Sequence, residues 1–273
     1  MKLEIPVNKA GKELYSWLVE NKQVIVSQKK FHLKEADAAH SYISLVNEKG
    51  DVVKAEAANV GSDATKIKAR LVINTTKLMD SHSDVHIDGL WNKSLSQTNL
   101  IYLLQEHSMT FKGIITDEVK AFTKTYSWKD LGFDAPGNTQ ALVFDAVIDK
   151  NRNEFMFDQY RKGYVKNHSV GMRYVKIAMC INDEDYKEEF SNWNKYYEDI
   201  ANKDLADQQG YFFAVTEAKV VEGSAVPKGS NFITPTISVE QDKAEPEHSP
   251  QQDNEPAGAT HEVVKSFINP NFY

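Results

Sequence analysis

Lys166-Asn167-His168-Ser169-Val170-Gly171-Met172-Arg173 opens an apolar run that continues through Val175-Lys176-Ile177-Ala178-Met179-Cys180-Ile181. Its β-branched and apolar content predicts a strand over 169–181, buried at its far end. Upstream, Phe155, Phe157 and Tyr160 stand among charged residues and predict an amphipathic helix over 153–162. Gly163 follows as a residue that tolerates the left-handed turn ending a helix. Downstream, Trp193, Tyr196, Tyr197 and Ile200 recur at helical spacing in an acidic stretch, predicting one long helix over 183–209. Tyr211–Val221 then reads as a strand and 222–230 as a turn-rich close.

The same reading extends outward. Ile67, Ala69, Leu71 and Ile73 alternate with other residues in a half-buried strand. A polar turn covers 80–89. Residues 99–107 form an apolar strand ending in His107, 111–122 give one or two further strands, 128–138 is a loop, and 141–147 is a strand. Near the N-terminus, Leu14, Trp17 and Leu18 mark a helix over 9–20, Val24-Ile25-Val26 reads as a strand, and a hairpin is expected over 34–62. Beyond Ser238 the chain is rich in Pro, Gln and Glu with few large apolar residues, so it cannot offset its conformational entropy. The expected organisation is an N-terminal extension (1–65), a folded domain (66–237), a disordered linker (238–262) and an apolar terminal peptide (263–273).

Composition narrows the function. The 273 residues are 41% hydrophobic with a formal net charge of −7, which gives nucleic-acid binding no electrostatic support. No apolar run approaches the length of a membrane span, and the first residues carry no signal-like apolar core. Cys180 is the single cysteine, so no internal disulfide forms, and its apolar setting reads as a small core residue.

Several side chains suit catalysis. His107 ends an apolar strand, which would hold an imidazole at a fixed angle as a general base. Ser169 opens a strand and is followed by Val170 and Gly171, whose backbone N–H groups suit an oxyanion, with Arg173 in support. Glu222, at the end of the alternating run Val215–Val221, suits the carboxylate that orients a histidine. An ordinary serine at a loop–strand junction, or an acid at a strand end, would look the same. A competing cluster is His82, Asp84, His86 and Asp88, which would share one face of an extended strand and suit a metal-dependent hydrolase.

Taken together, these segments resemble the prohead maturation proteases of tailed bacteriophages, serine peptidases related in fold to herpesvirus assemblin. The resemblance runs over about 67–235 and rests on four segments. They are Asp80 to Leu95, Leu103-Leu104-Gln105-Glu106-His107, Ser169-Val170-Gly171-Met172-Arg173, and Val220-Val221-Glu222-Gly223-Ser224-Ala225-Val226-Pro227 with Asn231. Ser83 stands where the family has Gly, Gly223 replaces an aliphatic residue, and the acidic 183–207 stretch resembles an insertion. The resemblance implies an α+β fold, a mixed, mainly antiparallel β-barrel with flanking helices, and no cofactor. It implies His107, Ser169 and Glu222 as the triad, and makes 80–88 a turn. It further implies cleavage of scaffold and major capsid protein, then self-cleavage, inside a procapsid assembling in the host cytoplasm, with self-association as a further expectation. The tail from Ser238 is then a packaging tether or an autoprocessed segment. A non-catalytic assembly protein that keeps the protease-like fold is the alternative.

Overall fold

In β1 (Lys66–Thr75), Ile67, Ala69, Leu71 and Ile73 point into the main core, while the second half of the strand is covered on both faces. The computed structural model in which this is seen describes residues 3–31, 60–97 and 100–242. The hairpin expected over 34–62 lies almost wholly outside these residues, as do 243–262 and the 263–273 peptide.

β1 pairs antiparallel with β6 (Asn138–Asp149), from Lys66↔Asp149 to Thr75↔Ala141. β5 (Val119–Ser127) lies beyond β6, and β9 (Thr236–Gln241) lies along the other edge of β1, giving the order β5-β6-β1-β9. β9 therefore carries ordered pairing past the expected 237 boundary, and Asp242 N–H donates to Lys66 O at 3.1 Å.

The second sheet is organised by β8 (Tyr211–Val226). It runs antiparallel to β7 (Asn167–Ile181) from Asn167↔Val226 to Ile181↔Tyr211. On its other side, its first half pairs parallel with β2 (Asp84–His86) and its second half with β3 (Tyr102–Gln105). β4 (Ile114–Thr116) completes the sheet beside β3. β8 extends five residues past the expected strand end, so Glu222 lies inside a strand. The expected barrel is replaced by two open sheets, and no closed barrel is found among the described residues. Their inner faces stack instead of exchanging hydrogen bonds. Leu142, Phe144, Ala146 and Ile148 of β6 join the β1 side chains against Val170, Met172 and Val220.

The helices cover this frame. α1 (Gly11–Glu20) buries Leu14 and Leu18 as expected. The run Val24–Val26, expected as a strand, lies in α2 (Lys22–Phe31), where only Ile25 of the three is buried. Lys22, Ile25 and Lys29 fall on one helical face. Lys22 pairs with Glu189 at 2.6 Å, Lys29 pairs with Asp84 at 2.6 Å, and Ile25 packs near Met179, Ile181, Tyr211 and Phe213. Contacts at a helical period outweigh the β preference of a three-residue run. α3 (Asn92–Leu95) is a single turn. α4 (Glu154–Arg161) is capped by Asn153, whose side chain accepts from Met156 N–H at 3.1 Å, and it closes at Gly163 with φ +69°. The expected long helix is two, α5 (Lys187–Tyr196) and α6 (Lys203–Gln209), separated by a 3₁₀ turn. They form the connection between β7 and β8.

Gly223 has a packing reason. A Cβ there would lie 2.5 Å from Phe144 Cε2, so the missing side chain is the seat of a core aromatic ring. Gly223→Val should destabilise the protein by about 1–3 kcal/mol through overpacking. Urea unfolding at neutral pH checks this, and an unchanged midpoint would remove the packing role.

Candidate active site

β3 ends at Gln105, two residues before His107. Ser108 N–H donates to Gln105 O at 2.9 Å, closing a tight turn in which Glu106 (φ 50°) and His107 (φ 58°) are both left-handed. Such turns ordinarily recruit Asn and Gly, and left-handed backbone costs other residues about 1–2 kcal/mol each. The histidine is thus held by a strained turn, not by the strand itself. Glu106 N–H donates to Ala225 O at 3.0 Å, and Gln105 N–H to Gly113 O at 2.7 Å. The first fixes the turn against β8 and the second against the residue before β4.

Glu222 is 1% exposed, and its Oε1 lies 2.7 Å from His107 Nδ1. With the carboxylate as acceptor, Nδ1 carries the ring proton and Nε2 holds a lone pair. His107 Nε2 is buried and has no hydrogen-bond partner among the described residues. Gly171 lies opposite Glu222 in the β7–β8 register. A Cβ at 171 would overlap Glu222 Oε1 and its carboxyl carbon. Gly171 therefore makes room for the carboxylate beneath the imidazole, a role distinct from the oxyanion support expected of it.

Ser169 is buried and lies opposite Ser224. Alternation puts Ser169, Gly171, Glu222 and Ser224 on the face of the sheet away from Val170 and Gly223. Ser224 Oγ accepts from His107 N–H at 3.1 Å and donates to Glu222 Oε2 at 2.7 Å. The structure thus brings the three expected residues to one patch. No hydrogen bond joins Ser169 Oγ to His107 Nε2 among the described contacts.

Backbone direction separates the two expected oxyanion donors. His168 N–H and C=O are both bonded to Thr234 Oγ1, at 3.1 and 2.7 Å, and so point away from β8. By alternation the N–H of Val170 also points away from β8, while that of Gly171 points into the ladder. Val170 N–H is the available donor and Gly171 N–H is committed. Arg173 is exposed on the Ser169 face and, among the described residues, has no hydrogen bond or ion pair to Ser169, His107 or Glu222, so the expected supporting role has no direct contact behind it.

Ser169 is also braced from behind. His168 Nδ1 lies 3.0 Å from Thr234 O, and its Nε2 lies 3.1 Å from Tyr160 OH of α4. The carbonyl takes the Nδ1 proton, so Nε2 accepts from the phenol. Burial pushes the His168 imidazole down to about 4, opposed in part by the bond to the Thr234 carbonyl. Sequence reading missed this brace because Tyr160, His168 and Thr234 come together only through packing.

The 80–88 segment is a turn leading into β2, with Ser83 left-handed at φ 60°. Asp84 Oδ2 accepts from Tyr174 OH at 2.8 Å. His86 Nε2 lies 3.0 Å from the same hydroxyl, and His86 Nδ1 lies 3.0 Å from Asn74 Nδ2. Asp88 is carried elsewhere, to Lys77 at 2.9 Å and Thr76. The four side chains expected on one face are thus divided. Among the described residues no group of three or more His, Cys, Asp or Glu is arranged to hold a metal. Cys180 is buried, and burial pushes its thiol up, away from a reactive thiolate.

No family model, curated protein or solved structure matches this chain. No helix among the described residues is long and apolar enough to cross a membrane.

The His168 brace has a pH signature. A group whose folded value is depressed binds its proton first in the unfolded chain. Its contribution is present above about pH 6.5 and is lost as pH falls toward 4. The gap in unfolding free energy between wild type and His168→Gln should narrow by about 3 kcal/mol between pH 7 and pH 4. Urea titrations at a series of pH values measure it. A gap independent of pH would mean that His168 is not held neutral.

Proposed function

We propose that this chain is a serine endopeptidase acting by acyl transfer, with Ser169 as nucleophile, His107 as base and Glu222 as the carboxylate that orients it. One observation carries the reading. A histidine with a buried side chain gives Nδ1–H to a buried glutamate, keeps Nε2 without a partner among the described residues, and is tied to the residue directly opposite a serine on the same sheet face.

The chemistry follows from that arrangement. Glu222 fixes the tautomer with the proton on Nδ1, so the Nε2 lone pair takes the Ser169 proton as Oγ attacks the peptide carbonyl carbon. Negative charge developing on the carbonyl oxygen is met by the Val170 N–H. The imidazolium then gives its proton to the leaving amine, and water attacks the acyl-enzyme by the reverse sequence.

The resemblance to prohead proteases supplies the substrate class: scaffold and major capsid protein within an assembling procapsid. Ser169→Ala should lower kcat by roughly four to six powers of ten. Glu222→Gln should cost less, because the ring loses its orienting partner but not the nucleophile. Coexpression with the cognate capsid and scaffold proteins, read as changes in their size, measures both. Processing by Ser169→Ala at the wild-type rate ends this reading.

A non-catalytic assembly protein on the same frame is favoured by one observation, the missing hydrogen bond between Ser169 and His107. Normal procapsids with no size change in the presence of wild-type protein would select it. The packaging role of the tail is tested by removing residues 243–273, a cut that leaves β9 whole. Loss of incorporation into procapsids is expected, and normal incorporation would dismiss the tether.

A further inference from the structure

A carboxylate that orients a histidine through one oxygen is free to rotate unless its second oxygen is also held. Glu222 is buried, so that second oxygen, Oε2, needs a donor from the protein. Ser224 Oγ supplies it at 2.7 Å. The same oxygen atom accepts the backbone N–H of His107 at 3.1 Å. A hydroxyl has one proton to give and lone pairs to receive with, so a single atom makes both bonds. The result is a closed ring: His107 N–H donates to Ser224 Oγ, Ser224 Oγ–H donates to Glu222 Oε2, and His107 Nδ1–H donates to Glu222 Oε1.

We propose that Ser224 is the positioning residue of this site, its hydroxyl locking the Glu222 carboxylate and the left-handed His107 backbone into one unit. The proposal rests on the serine-peptidase reading and deepens it. Ser224 faces Ser169 across the ladder, yet its proton is committed to Glu222, which separates its role from that of the nucleophile. It is fully buried, so without the hydroxyl both Oε2 and the His107 N–H would be stranded out of reach of solvent. The left-handed turn would also lose a bond that offsets its strain. Nothing else among the described residues bonds the His107 N–H or Glu222 Oε2.

Ser224→Thr and Ser224→Val test this as a pair, because they share a shape and differ in the hydroxyl. Two readouts are taken. One is kcat and KM on a peptide cut from the capsid protein. The other is the NMR resonance of the His107 Nδ1 proton, recorded in a Ser169→Ala background where no turnover is needed. Ser224→Val should lower kcat roughly 10–100-fold with KM within about threefold, and should move the Nδ1–H resonance upfield or lose it to solvent exchange. Ser224→Thr should stay near wild type in both. If both branched variants unfold, Ser224→Ala, smaller than the native residue, carries the same comparison against wild type.

An unmoved resonance and unchanged kcat in the variant lacking the hydroxyl would overturn the proposal. So would equal damage from Thr and Val, which would make shape the cause. If no form of the protein cleaves any peptide, the peptidase reading fails, while the resonance still decides whether Ser224 holds the pair.

Discussion

In the β7–β8 ladder, Ser169 faces Ser224 and Gly171 faces Glu222. Side chains alternate across a sheet, so a slip of one residue in either strand would turn these positions into the core and bring Val170 and Gly223 out. The register is held by what lies on the other face. Val170, Met172 and Val220 pack into the main core, and Phe144 occupies the space that Gly223 leaves open. The hydrophobic packing of one face therefore sets the chemistry of the other. The glycine at 171 is part of the same arrangement, since any side chain there would displace the carboxylate beneath His107.

The far end of the ladder is anchored separately. α1 and α2 cover Met179, Ile181, Tyr211 and Phe213, and two lysines of α2 reach acids on either side, Lys22 to Glu189 of α5 and Lys29 to Asp84 of β2. This gives residues 11–31 a structural role: they tie α5 and the 80–88 turn to the end of β7–β8 opposite the His107 patch. Tyr174 continues the link inward. It bonds both Asp84 and His86, and its phenol is held well above its ordinary range by burial and by the Asp84 charge. Buried polar groups here are satisfied by one another, which is the condition for a polar network to lend rigidity.

Polar satisfaction also shapes the site. His168 and His107 are both buried imidazoles, but His168 has both ring nitrogens engaged while His107 has one. The first is a brace. The second leaves Nε2 without a hydrogen-bond partner among the described residues. The strained turn at Glu106 and His107 belongs with that difference, because left-handed backbone at non-glycine residues persists only where surrounding bonds over-determine it.

The strands at 67–73 and 169–181, the helix at 153–162 and its end at Gly163 were legible in the sequence, because each is set by local period and by residues with strong backbone preferences. So were His107, Ser169 and Glu222 as candidates, because each residue type matches a role. The sequence by itself could not say that β8 runs through Gly223 and Ser224, since a Gly-Ser pair looks like a turn until a neighbouring ring needs the space. It could not show that Val24–Val26 is helical, because the deciding contacts are with Glu189 and Asp84, far along the chain. Nor could it choose between a closed barrel and two open sheets. That choice belongs to tertiary structure, as do the Glu222–His107–Ser224 ring and the His168 brace: each joins groups far apart in the chain, His107 to Glu222 and His168 to Thr234, brought together by the burial of apolar faces that local sequence specifies only one strand at a time.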